Sequence, residues 1–161
     1  MRIPVLCDLG RRDEARRIIA VCESYFRALN STADLMCVAN LAGVLAAEQS
    51  QWIDAAAAYR RCLKLAWEGR SRYWIGMALW NLPRSLVRLG NATSAARLMS
   101  FGVQFWERNF GALDEADRSF VASVRERLVE RLGPAATDEL WTSGSRLSLP
   151  EAADIALASL D

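Results

Sequence analysis

Histidine is absent from this 161-residue chain. That removes the commonest general base, the commonest zinc ligand besides cysteine, and every Ser-His-Asp or Cys-His arrangement. Lysine is almost absent too: Lys64 stands alone against nineteen arginines, and the phosphate-binding G-x-x-x-x-G-K-[ST] pattern is missing. The four cysteines, Cys7, Cys22, Cys37 and Cys62, form no C-x-x-C pair. They sit among apolar helical neighbours and read as reduced, near-core residues of a cytoplasmic protein. The longest uncharged run, Leu35 to Ala47, is thirteen residues, too short to cross a bilayer as a helix. The N-terminal apolar stretch meets Asp8 too early to serve as a secretory signal. These absences predict a protein that is not an enzyme, holds no metal and no cofactor, and does not enter a membrane.

Net charge is +1, so the whole molecule is no electrostatic glove for nucleic acid, and direct nucleic-acid binding is not expected. The charge is uneven: residues 1–110 carry 15 basic and 9 acidic side chains, and residues 111–161 carry 5 and 10. Arg11, Arg12, Arg16 and Arg17 alternate with Asp13 and Glu14, which suits ion pairs along a solvated helix face. Asp114, Glu115 and Asp117 fall where a helix N-terminus favours acids. Glu126 and Glu130, with Arg127 and Arg131, read as another solvated stripe.

What the chain does have is a period. Ala15, Ala55 and Ala95 recur every forty residues, each opening an amphipathic pattern, and Tyr25, Leu65 and Phe105 keep the same register. Asn40-Leu41-Ala42 answers Asn81-Leu82-Pro83 at forty-one, which implies one residue of slack in a loop. Small residues let two helices cross closely, and bulky ones further along fill the groove. The pattern predicts helices near 4–9, 12–29, 33–48, 51–68, 72–89 and 92–109, with Gly10 and Gly90 in left-handed turns and a kink at Pro83. After Gly111 the rhythm stops. A helix opens at Asp114 and runs to about Leu132, and a short one follows through Trp141. Ser148-Leu-Pro150-Glu151 then launches a last helix to about Leu160.

These pairs resemble tetratricopeptide repeats of a forty-residue variety. Trp141-Thr-Ser-Gly144-Ser-Arg-Leu147-Ser148-Leu149-Pro-Glu151-Ala152, followed by Ala156-Leu157, is similar to the close of the tetratricopeptide-like region in bacterial LuxR-type or AfsR-type transcriptional regulators and related signal-transduction ATPases. The resemblance implies an all-α superhelix of about three helix pairs over residues 1–111, with capping helices over 112–161, as a single structural unit. It also implies a regulatory, partner-sensing role. The output domains of such proteins are not found in it, and the chain is expected to begin within a repeat, either as a fragment or truncated product or with its first pair capped by something else. The half-covered side of the helix at 12–29 predicts self-association, as a homodimer.

In tetratricopeptide stacks the first helix of each pair lines a groove. Asn40 and Asn81 are expected at equivalent groove positions, where they would bond a peptide backbone or cap a neighbouring helix. Tyr73, Met77, Trp80 and Arg84 share one stripe, suited to an interaction hot spot though more often simply core packing. The groove is expected to take a protein segment or a second copy of the chain. The alternative is a small inducer molecule enclosed near Asn40, Asn81 and Arg84. A carboxylate clamp of the lysine type is excluded by composition.

Overall fold

The computed structural model describes residues 10–158, and the helix expected over 4–9 lies outside them. Among the described residues there is no strand. Eight helices follow in order: α1 (Arg12–Ala28), α2 (Thr32–Glu48), α3 (Trp52–Glu68), α4 (Arg72–Arg88), α5 (Ala92–Phe110), α6 (Glu115–Leu132), α7 (Pro134–Gly144) and α8 (Leu149–Leu157). None is long and apolar enough to cross a membrane.

The first five helices begin at residues 12, 32, 52, 72 and 92, so the true unit is a single helix and turn of twenty residues. The turns explain the regularity. Gly10, Asn30, Ser50, Arg70 and Gly90 all have positive φ, between 52° and 89°. After each of α1 to α4 the left-handed residue donates its N–H three residues back, and the next residue donates five back, as in Ser31 to Phe26 and Asn91 to Leu86. This is the Schellman closure, which satisfies carbonyls that a helix end leaves open. Glycine was expected at two of these turns; Ser50 and Arg70 adopt the same geometry without its steric freedom.

The even spacing also corrects one expectation. Because α2 and α4 begin forty residues apart, Asn40 corresponds to Trp80, and Asn81 to Leu41. The match at forty-one is a coincidence of sequence, and no loop holds an extra residue. Pro83 lies inside α4 without ending it.

The chain divides into two compact units, Met1–Ala78 and Leu79–Asp161, and the boundary falls within α4. In the first, α2 packs against both α1 and α3. Ala15, Ile19, Val38 and Leu45 form a core, flanked by Cys22, Phe26 and Leu41. Gly43 makes room for a ring: a Cβ there would stand 2.6 Å from Cδ1 of Tyr59.

In the second unit α5 is the hub, with α6, α7 and α8 all packed on it. Leu79, Leu82, Leu86, Leu98, Met99 and Leu128 are fully buried there. Pro83 cannot donate to the carbonyl of Leu79, and Gly102 of α5 lies close against that carbonyl, where a Cβ would be 3.3 Å from the oxygen. α7 runs on past Trp141 through Gly144, a turn further than the Thr-Ser-Gly-Ser composition suggests. Its last residue abuts α5, and a Cβ at Gly144 would fall 2.7 Å from Cα of Arg97. Ser100 Oγ donates to the Trp141 carbonyl at 2.6 Å. Ser148 caps α8 with the expected box, its N–H donating to Glu151 at 2.7 Å while the Glu151 N–H returns to Ser148 Oγ. Ser148 Oγ, which donates to the Glu151 carboxylate at 2.6 Å, and then the Ser148 N–H hold that carboxyl below the usual range.

Candidate functional site

The six residues expected to line a groove are divided by the unit boundary. Asn40, Tyr73 and Met77 belong to the first unit; Trp80, Asn81 and Arg84 belong to the second. Asn40 is buried at 5% exposure and engaged within the chain. Tyr73 is 46% exposed, its ring edge-on to Trp74 with centroids 5.0 Å apart. Met77, Asn81 and Arg84 are half-buried.

Trp80 is different. Its ring is 8% exposed, stacked on Phe120 of α6 at 5.8 Å and tilted against Trp106 of α5 at 5.9 Å. Trp106 meets Phe110, which meets Phe105 and then Phe101. Six aromatic rings thus run as one chain through the second unit. Within the stripe, Trp80 packs inside while Tyr73 is exposed.

The Trp80–Phe120 stack sets α4 beside α6. One and two turns beyond Trp80 come Arg84 and Arg88, and two and three turns beyond Phe120 come Arg127 and Arg131. Arg88 feels all three of the others. Its pKa is lowered first by partial desolvation, then by repulsion from Arg127, Arg84 and Arg131, with Glu130 acting in the opposite sense. Short turns reverse the chain between α4 and α5 and again between α5 and α6, so α4 and α6 run in the same direction. In the sequence Arg127 and Arg131 read as a solvated stripe, because nothing in α6 alone announces the two arginines of α4.

Further clefts lie elsewhere among the described residues. One of about 220 Å³ is bounded by Phe101, Phe105 and Arg108 of α5 and by Leu147 and Leu149. A second, between α6 and α7, is flanked by Arg125, which pairs with Asp138 at 2.6 Å and covers the ring of Trp141. A shallow third lies along α1 at Ile18, Val21 and Cys22. It continues into a bare apolar face, with Val21, Tyr25 and Leu29 all more than half exposed.

Cys22 and Cys37 are half-buried and Cys62 is fully buried, all three free thiols. Burial pushes the Cys62 thiol up to about 12 and also raises that of Cys37. Both are poor nucleophiles at neutral pH. No group of three or more histidine, cysteine or acidic residues suited to hold a metal occurs among the described residues. No family model, no curated protein and no solved structure matches the chain.

Proposed function

We propose that the chain is a non-catalytic, tetratricopeptide-like interaction domain of a bacterial transcription-regulatory or signalling system, working in the cytoplasm. The observation that carries this reading is the unbroken twenty-residue spacing of helix and left-handed turn from Gly10 to Gly90. Evenly repeated helices offer long side-chain surfaces rather than a single chemical centre, and proteins so built bind partners along those surfaces. The resemblance of Trp141 through Leu157 to the close of regulator repeat regions supports the regulatory setting. Tyr73, Met77, Asn81 and Arg84 are the proposed contact residues. The bare face of α1 supports self-association as a homodimer.

Site-specific photocrosslinking in the cells of origin tests this. A photoreactive residue at Tyr73, Met77 or Arg84 should give discrete protein adducts, and one at exposed Ser119 should not. If every stripe position gave no protein adduct while a small molecule co-purified with the folded chain, inducer sensing would replace the proposal.

A further inference from the structure

The arginines that meet between α4 and α6 carry the reading one step further, to the chemistry of a partner. The Trp80–Phe120 stack sets the two helices side by side, and by helical register Arg84 and Arg88 on α4 and Arg127 and Arg131 on α6 lie beyond it toward the same end of the pair. Among the groups that act on Arg88, one carboxylate, Glu130, opposes three arginines. Arg88, Arg127 and Arg131 are exposed and Arg84 is half-buried, so the charge faces outward where a ligand can reach it. On each helix the arginines stand four residues apart, which is a rise of about 6 Å.

An extended peptide repeats the same side every two residues, about 6.6–6.8 Å. Acidic side chains at alternate positions would therefore meet successive arginines, each pair capable of forked hydrogen bonding. A single phosphate or carboxylate has no such reach and would engage one pair. Nucleic acid fits less well: single strands bind where aromatic rings offer stacking surfaces, and here Trp80 is buried and its partner Phe120 is half-buried beneath it.

We infer that the α4–α6 face of the second unit, at Arg84, Arg88, Arg127 and Arg131, docks an extended segment of a protein partner with acidic residues at alternate positions. This rests on the reading of the chain as an interaction domain. Arg84 and Arg88 already have interactions within the chain, so incoming carboxylates exchange for existing contacts and affinity should be moderate and strongly dependent on salt.

Fluorescence anisotropy on the full chain tests it, with a labelled eight-residue peptide of alternating glutamate and serine. The same residues arranged as a block of four glutamates and four serines provide the comparison. The alternating peptide should bind at least about fivefold tighter than the block, and raising salt should weaken both. The pairs Arg84→Gln with Arg88→Gln, and Arg127→Gln with Arg131→Gln, should each weaken binding about tenfold or more. Arg11→Gln with Arg12→Gln, an equal loss of charge at the start of α1, should leave it within about twofold. Should a glutamine pair fail to fold by circular dichroism, the corresponding lysine pair keeps the charge and removes the fork; it should still weaken binding measurably.

Equal binding by wild type and both α4–α6 variants would overturn the inference, as would no binding at millimolar peptide. Tighter binding of a single-stranded RNA through the same arginines would make the surface a nucleic-acid site and overturn the partner assigned here. If crosslinks from Tyr73 appear while acidic peptides fail, only this inference falls. If both fail, the interaction reading falls with it.

Discussion

α1 and α5 begin eighty residues apart and occupy equivalent places in the period, yet they end in opposite conditions. Ala15 and Ala95 are both fully buried at the start of their helices. Two turns on, the likeness fails. Val21 and Tyr25 are 69% and 60% exposed, whereas their equivalents Phe101 and Phe105 are 7% and 9% exposed. The difference lies in what each unit supplies around the helix. α5 carries α6, α7 and α8 on its flanks, and Leu147 and Leu149 border the cleft beside its two phenylalanines. The small residue at the crossing therefore belongs to the repeat itself, while the bulky positions take on whatever their surroundings offer.

The sharpest way to break this comparison is to truncate the paired positions. Phe105→Ala should cost about 3–5 kcal/mol by the usual scale for buried aromatics, while Tyr25→Ala should change stability by less than about 0.5 kcal/mol. Denaturant melts of the two variants decide it. Similar losses in both would mean that the α1 face is covered in solution, and the loss at Tyr25 should then depend on protein concentration.

Gly144 tests the contact that holds α7 on α5. Any Cβ there meets the backbone of Arg97, and backbone cannot swing aside as a side chain would. Gly144→Ala should destabilise by about 1–3 kcal/mol. The equivalent insertion in the first unit, Gly43→Ala, meets the movable ring of Tyr59 and should cost less. Thermal midpoints for the pair measure the difference.

Much of this architecture was legible in the sequence, and the reasons are local. Recurring alanines marked the crossings, and glycines at 10 and 90 marked two turns, so helix limits could be read to within a residue or two through Phe110. Ser148 and Glu151 announced the last cap. At Ser50 and Arg70 the breaks were legible but their left-handed geometry was not, because neither residue type prefers that backbone. Gly144 looked like a turn because close packing and chain reversal favour the same residue. The face at Arg84, Arg88, Arg127 and Arg131 could not be read at all, since it arises only when α4 and α6 are set side by side in space.

Cys62 sets the first unit apart from the second by pH. Its position corresponds to Gly102, which has no side chain to titrate. The folded thiol is raised from 9.0 to about 12 by burial. Below pH 9 the thiol is protonated in both folded and unfolded chains, and its contribution is fully present. Between 9 and 12 the unfolded chain gives up a proton that the folded chain keeps, so stability falls by at most about 1.4 kcal/mol per pH unit. Urea melts across that range should show a slope that Cys62→Ala reduces, with the raised Cys37 thiol supplying part of what is left. An unchanged slope in the variant would mean that the thiol is accessible to solvent.

The smallest effects belong to the turns. Gly90→Ala should cost about 1 kcal/mol by forcing a Cβ into the left-handed region. Ser50→Gly or Arg70→Gly should gain up to about 1 kcal/mol at turns of the same geometry. Opposite signs at matching positions would show that one turn geometry closes the helices in both units; equal signs would show that it does not.

Native mass spectrometry of the freshly purified chain bears most directly on the interaction reading. That reading predicts complexes whose mass is a multiple of 17.9 kDa or of the chain plus a protein partner, with no other added mass. A monomer that retains a small compound until it is denatured would contradict it and point to a ligand sensor.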